Sequence, residues 1–175
     1  MADYVYVKYD SKWGEMLLCL SVKGAVKGLW FTGQKYFPKL VGEIKDVDQI
    51  YSLPNEIQEV IGMVLTQLKE YENGERNKFD LKLEPNGTLF QKQVWKILLS
   101  IPYGKTITYG EIGEQVARAL NKKSMSAQAV GQAVGHNPIS VIIPCHRVIG
   151  KKNELTGYAG GIDKKIALLE REGVL

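Results

Sequence analysis

The chain has 175 residues, enough for one large domain or two small ones, and its 45% apolar and 24% charged content is that of a folded globular protein, not a disordered one. No apolar run approaches the roughly 18 residues of a membrane span, and Met1 to Asp10 lacks the apolar block of a signal peptide, so a cytoplasmic protein without membrane contact is expected. Charge is uneven: residues 1–84 carry 11 basic and 13 acidic side chains (net −2), and residues 85–175 carry 12 and 6 (net +6). A basic half beside a mildly acidic one points to a polyanionic partner, with nucleic acid the first candidate.

In chain order, the first forty residues read as strands. Tyr4 to Val7 is a β-branched and aromatic run, followed by Trp13 to Val22 and Gly24 to Phe31, with glycines between them. This predicts an antiparallel meander. After Pro54, the residues Ile57, Val60, Ile61, Val64, Leu65 and Leu68 recur at three- and four-residue steps, which predicts a helix ending at Asn73-Gly74. Phe79, Leu81 and Leu83 alternate with polar residues and predict one more strand. Glu84-Pro85-Asn86-Gly87 breaks both pattern and charge, so a domain boundary is placed there: residues 1–84 and residues 85–175.

The second half reads as helical. Thr88 can cap a helix from Leu89 to about Ser100, with Phe90, Val94, Ile97 and Leu98 inward. Thr108 and Glu111 form a capping-box pair for a helix to about Leu120. After a short polar stretch, a third helix runs from Ser126 to Gly135 and stops at Asn137-Pro138. Val141-Ile142-Ile143 predicts a buried extended segment, and Lys164 to Glu172 a closing helix. The fold class is therefore α+β: an antiparallel sheet with a helix, then a helical domain.

The third helix is chemically unusual. Interior glycines such as Gly131 each cost roughly 1 kcal/mol relative to Ala. Ala127, Gly131 and Gly135 stack at four-residue steps, leaving one face nearly free of side chains. Together with the helix before it, this reads as a helix-turn-helix that can approach DNA closely. Only Gln128 and Gln132 have the reach to read base edges. Contact without strong sequence preference, through Ser126, Ala127, Gln128, Ala129, Gly131, Gln132 and Gly135, is the expectation.

The reactive centre is Pro144-Cys145-His146-Arg147-Val148. A thiolate is the nucleophilic form of cysteine, and a neighbouring base or cation favours it. A carboxylate orienting His146 would complete a relay, with Glu111, Glu114, Glu154, Asp163, Glu170 and Glu172 as candidates. Cys19, in the apolar run Leu17-Leu18-Cys19-Leu20, reads as buried and inert. The spacing of Cys19, His136, Cys145 and His146 suits no zinc site, so neither metal nor cofactor is expected. Tyr103-Gly104-Lys105-Thr106 fails as a phosphate-binding loop because Leu99 stands where the first glycine is needed.

Ile143 to Val148 resembles the active-site signature of the methylated-DNA–protein-cysteine methyltransferases. Ala129-Val130-Gly131, Asn137-Pro138, Thr156-Gly157-Tyr158-Ala159-Gly160-Gly161, Lys165, Leu168-Leu169 and Glu172-Gly173 also fall in the family's order, so the resemblance covers residues 88–175. It implies a ribonuclease-like supporting domain before a winged-helix-like DNA-binding domain that enters the minor groove of duplex DNA. It further implies a monomer that flips O6-alkylguanine into a pocket and keeps the alkyl group on Cys145, once per molecule, with O4-methylthymine as a second candidate substrate. Implied roles follow: His146 as base through a water, Glu172 orienting it, and Asn137 tying the helix to the site. Tyr109 rotates the nucleotide and protonates the leaving guanine. Val134, Val148, Tyr158, Ala159, Gly160 and Lys165 surround the base. The chain departs from the family at Gln128, where an arginine commonly fills the vacated stack; weaker DNA binding than that of an arginine variant is expected. It also lacks the zinc ligands that some members carry in the first half. Two alternatives from other classes are a sequence-specific helix-turn-helix regulator and a non-catalytic lesion sensor. Cys145 argues against the second.

Overall fold

The computed structural model describes residues 4–175, which form an α+β fold in two compact units, Met1–Pro85 and Asn86–Leu175. In the first unit, β1 (Tyr4–Ser11), β2 (Gly14–Ser21) and β3 (Val26–Phe31) form the antiparallel meander. Tyr4 pairs with Ser21 and Ser11 with Gly14, so a two-residue turn closes the first hairpin, and Gly14 takes a φ of 119° there. Central β2 is buried from Met16 to Ser21 because both its faces are covered. Tyr6, Leu17, Cys19 and Trp30 cluster on one face, against Phe37 and Leu40. Gly28 leaves room for the Trp30 ring, which occupies the place a β-carbon would take.

Helix α1 (Asn55–Asn73) packs on β1 and buries Ile57, Ile61, Val64 and Leu68. Gly74 caps it in the left-handed conformation, φ 81°. Two features depart from the sequence expectation. A two-residue strand, β4 (Ile44–Lys45), pairs parallel to β1, giving the order β3-β2-β1-β4 and a mixed edge. The segment around Phe79, Leu81 and Leu83 is not a strand. It makes a single bridge, Leu83 to Val26, and is pinned by Gln67 of α1, whose side chain bonds both the Asp80 carbonyl (3.0 Å) and the Asp80 N–H (2.8 Å). Its alternation reflects partial burial without a strand partner.

In the second unit, α2 (Leu89–Leu99), α3 (Tyr109–Ala119) and α4 (Ala127–Gly135) pack on one another. Thr88 with Gln91, and Thr108 with Glu111, form capping boxes at the starts of α2 and α3. Trp95 is buried in this core and donates its indole N–H to the Ala133 carbonyl at 2.9 Å. A β-carbon at Gly113 of α3 would stand 3.7 Å from Val130 of α4, an ordinary van der Waals contact. Two short strands, β5 (Ile107–Thr108) and β6 (Val148–Ile149), pair in parallel, which sets the start of α3 beside the signature segment. Helix α5 (Ile162–Arg171) closes the chain.

Val141-Ile142-Ile143 is buried as expected but not extended. It winds through turns, with Ile142 N–H bonded to Ser140 and Ile143 N–H to Ile139, and Val141 at φ 70°. Apolar content signalled the burial, whereas the backbone path follows from hydrogen bonds made by Asn137. Among the described residues, no helix is long and apolar enough to cross a membrane.

Candidate active site and nucleic-acid interface

Pro144 leads into a single 3₁₀ turn, Cys145–Arg147, whose three side chains are all buried. The Cys145 thiol meets the Asn137 amide, with Nδ2 donating to Sγ at 3.0 Å and to the Ile143 carbonyl at 2.7 Å. Asn137 Oδ1 accepts the Ile139 N–H at 3.0 Å. One buried side chain, placed just after α4, thus organises the turns that carry the cysteine. Burial pushes the Cys145 thiol up, opposed first by the Asn137 bond and then by the Lys165 charge. At rest the group is a thiol, so a nucleophilic reaction requires a proton acceptor at the moment of attack. Cys19 contrasts with it: burial in the sheet pushes it to about 11, opposed first by a hydrogen bond with Tyr6 and then by the Lys27 charge.

His146 is fully buried and its Nε2 lies 2.8 Å from Glu172 Oε1. The remaining basic position is Nδ1. Burial holds the imidazole below the usual histidine value; Glu172 opposes this, whereas Arg147 and Lys165 add to it. Arg147 grips the same carboxylate, Nε to Oε2 at 2.8 Å and Nη2 to Oε1 at 2.9 Å, and its Nη1 reaches the Ile101 carbonyl at 2.6 Å. Gly104 N–H also donates to Oε2, at 3.2 Å, and Tyr103 OH donates to the Arg171 carbonyl at 2.9 Å. Of the six acidic candidates, Glu172 alone is buried against His146. Arg147, Tyr103 and Gly104 were not singled out as site residues, although Arg147 stands directly beside His146 in the sequence.

Lys165 is fully buried, and its ammonium donates to the carbonyls of Val148, Thr156 (2.9 Å) and Gly157 (3.4 Å). It ties β6 to the loop that carries Tyr158, Ala159 and Gly160, which are half-buried. Burial pushes it down to about 8, with Cys145 opposing. Tyr109, at the first position of α3, is raised by burial and then by Cys145, and a bond with Thr156 opposes this. Val134 and Val148 are buried.

Helix α4 turns Val130, Ala133 and Val134 inward. Ser126, Ala127, Gln128 and Gln132 are exposed, and Ala129, Gly131 and Gly135 are half-buried. Nothing lies within 4 Å of where a Gly131 β-carbon would be, so no other element of the chain explains that glycine. Ser126 caps the helix, its Oγ accepting the Ala129 N–H at 3.3 Å. Beside this face, a groove of about 370 Å³ is lined by Tyr109, Gly110 and Ala127 and by the cations Arg118, Lys122 and Lys123. These three cations were read from sequence only as part of a basic half.

The profile described as "6-O-methylguanine DNA methyltransferase, DNA binding domain" matches residues 89–174. The methylated-DNA–protein-cysteine methyltransferase of Mycobacterium leprae is 39% identical over 162 residues, which span 90% of this chain and 93% of that protein. The chain belongs to the methylated-DNA–protein-cysteine methyltransferase family. Its similarity to some members is higher but shorter. The Mycobacterium tuberculosis methyltransferase is 55% identical over 106 residues, and the Methanosarcina acetivorans one 53% over 107. Those matches span 61% and 65% of the relatives' lengths. Among solved structures of the family, the Mycobacterium tuberculosis O6-methylguanine methyltransferase is 40% identical, with a TM-score of 0.76 over 97% of this chain and 92% of that one. The Mycobacterium tuberculosis protein in complex with DNA scores 0.77 at 39% identity, over 95% of this chain and 91% of that one.

Proposed function

We propose that this protein repairs DNA by transferring the alkyl group of O6-alkylguanine to Cys145. The observation that carries this reading is the Cys145 thiol held by Asn137, with His146 on the same turn bonded to Glu172 at the end of α5, in a family whose members are named for that transfer. The sulfur–hydrogen proton passes to His146, directly or through a water. The sulfur then forms a bond to the alkyl carbon as the carbon–O6 bond breaks, and the electron pair of that bond leaves with the guanine. Tyr109 donates a proton to the departing base. The product is a thioether with no easy hydrolysis, so each molecule reacts once.

DNA reaches the site along the helix-turn-helix of α3 and α4. The side-chain-poor face of α4, with Ser126, Ala127, Gln128, Ala129, Gly131, Gln132 and Gly135, lies in the minor groove, and the base is flipped into the site. Val134, Val148, Tyr158, Ala159, Gly160 and Lys165 surround it there. The cations near α3 neutralise phosphates. The first unit supports the second and does no chemistry, and the protein acts as a monomer.

Intact-mass spectrometry with a duplex carrying one O6-methylguanine tests this. One methyl should replace one hydrogen on the wild type, and Cys145→Ala should gain nothing. Tight binding to the lesion without a mass change would indicate a sensor instead. Absence of both transfer and lesion preference would refute the reading altogether.

A further inference from the structure

The buried carboxylate of Glu172 is shared among three nitrogen donors, His146, Arg147 and the Gly104 N–H. Oε1 receives His146 Nε2 at 2.8 Å and Arg147 Nη2 at 2.9 Å; Oε2 receives Arg147 Nε at 2.8 Å and Gly104 N–H at 3.2 Å. A carboxylate facing a histidine normally draws a proton onto the ring, because the ion pair is favourable where water is absent. Such a histidine is already protonated and cannot act as a base. Here the fork of Arg147 engages both oxygens in the bidentate geometry that makes this pairing strong, so the carboxylate's charge is already matched. Lys165 from α5 is also cationic and adds to the lowering of the ring's proton affinity, and burial keeps the neighbouring Cys145 as a neutral thiol.

We propose that Arg147 is a positioning residue for the alkyl transfer: by clamping Glu172 it leaves that carboxylate able to accept the His146 Nε2–H bond but unable to hold a second proton on the ring, so the imidazole stays neutral with its lone pair on Nδ1. The turn therefore carries its base in the ready state. The proton leaving Cys145 arrives on Nδ1, and the imidazolium so formed is a transient species that Glu172 stabilises only during reaction. Charge matching by Arg147 separates the two tasks of Glu172, orientation and stabilisation, from the unwanted third, protonation at rest.

The proposal rests on the alkyl-transfer reading, and one experiment distinguishes failure of either. Single-turnover methyl transfer from an O6-methylguanine duplex is measured from pH 5 to 9 for wild type, Arg147→Gln and Arg147→Lys. Absence of transfer by the wild type defeats the functional reading itself. Given transfer, Arg147→Gln should move the acid limb of the rate profile upward by about one pH unit, the usual effect of an unmatched carboxylate beside a titrating group. Its rate should fall a few-fold near pH 6, approaching about tenfold only below the wild-type limb, and approach the wild-type rate at the alkaline end. Arg147→Lys should lie between the two. A uniform loss at every pH, or an unmoved profile, overturns the proposal, because a merely structural arginine would lower the rate without shifting the limb. If Arg147→Gln does not fold, nuclear magnetic resonance of ring-labelled histidine in the wild type decides. His146 should remain the neutral Nε2–H form at pH 6, and an imidazolium there would refute the inference.

Discussion

Replacing Asn137 by alanine tests how the site is built, because that one side chain connects the end of α4 to the cysteine. Its amide has two N–H groups. The short contacts use them on the Ile143 carbonyl (2.7 Å) and Cys145 Sγ (3.0 Å), and the Oδ1 atom takes the Ile139 N–H (3.0 Å). Asn137 is 3% exposed, so no bulk water replaces what is lost. Truncation leaves the buried Ile139 N–H unsatisfied, at about 1–3 kcal/mol, whereas the Ile143 carbonyl keeps the Cys145 N–H at 2.8 Å. A loss near 2 kcal/mol lowers the melting temperature of a chain this size by about 4–8 °C. The thiolate formed during reaction also loses its N–H donor, a bond to a charged group of about 1.5–3 kcal/mol, so transfer should slow by at least about tenfold. Urea unfolding gives the first quantity and single-turnover methyl transfer below the melting range gives the second. A stability loss under about 1 kcal/mol together with an unchanged rate would refute the reasoning.

Three further outcomes are expected. Gly131→Leu should fold as well as the wild type or better, since nothing lies within 4 Å of the new β-carbon and a helix interior favours Leu over Gly by several tenths of a kcal/mol. Its affinity for duplex DNA should nevertheless fall at least tenfold by fluorescence anisotropy, and unchanged affinity would remove α4 from the interface. Gln128→Arg should bind duplex DNA several-fold more tightly at matched salt, through the added cation and its planar stacking group; equal affinity would remove that idea. Lys165 has a folded value lowered to about 8 against an unfolded value of about 10.4, so the unfolded chain binds more protons between those limits. Its burial therefore opposes folding below pH 8, and the penalty is relieved as pH rises from about 8 to 10.4. Denaturation across that window should show a rising contribution in wild type that Lys165→Met lacks.

Elements whose information is local were legible in the sequence. The three- and four-residue spacing of Ile57, Ile61, Val64 and Leu68 announces α1, and Gly74 ends it because only a residue without a β-carbon adopts φ 81° at little cost. Thr108 and Glu111 mark the start of α3 for the same local reason. The glycines of α4 likewise announce a bare face. What depends on partners distant in the chain was not legible. The two residues of β4 are too few for any periodicity, and only β1 alongside makes them a strand. Phe79 to Leu83 carries strand-like alternation, yet Gln67 and a single bridge take the place of a ladder. The apolar run Val141 to Ile143 reveals burial, but its turns are set by an amide that arrives from the end of α4.

The site divides in the same way. Cysteine, histidine and arginine side by side declare possible chemistry, because reactivity belongs to residue types. Their residue types alone left six carboxylates as partners of His146. Only the packing of α5 brings Glu172, 26 positions away, to 2.8 Å from the ring, and only there does Arg147 meet the same two oxygens. Proton affinities depend on the charges and the solvent around a group, and the chain has neither arrangement until it folds.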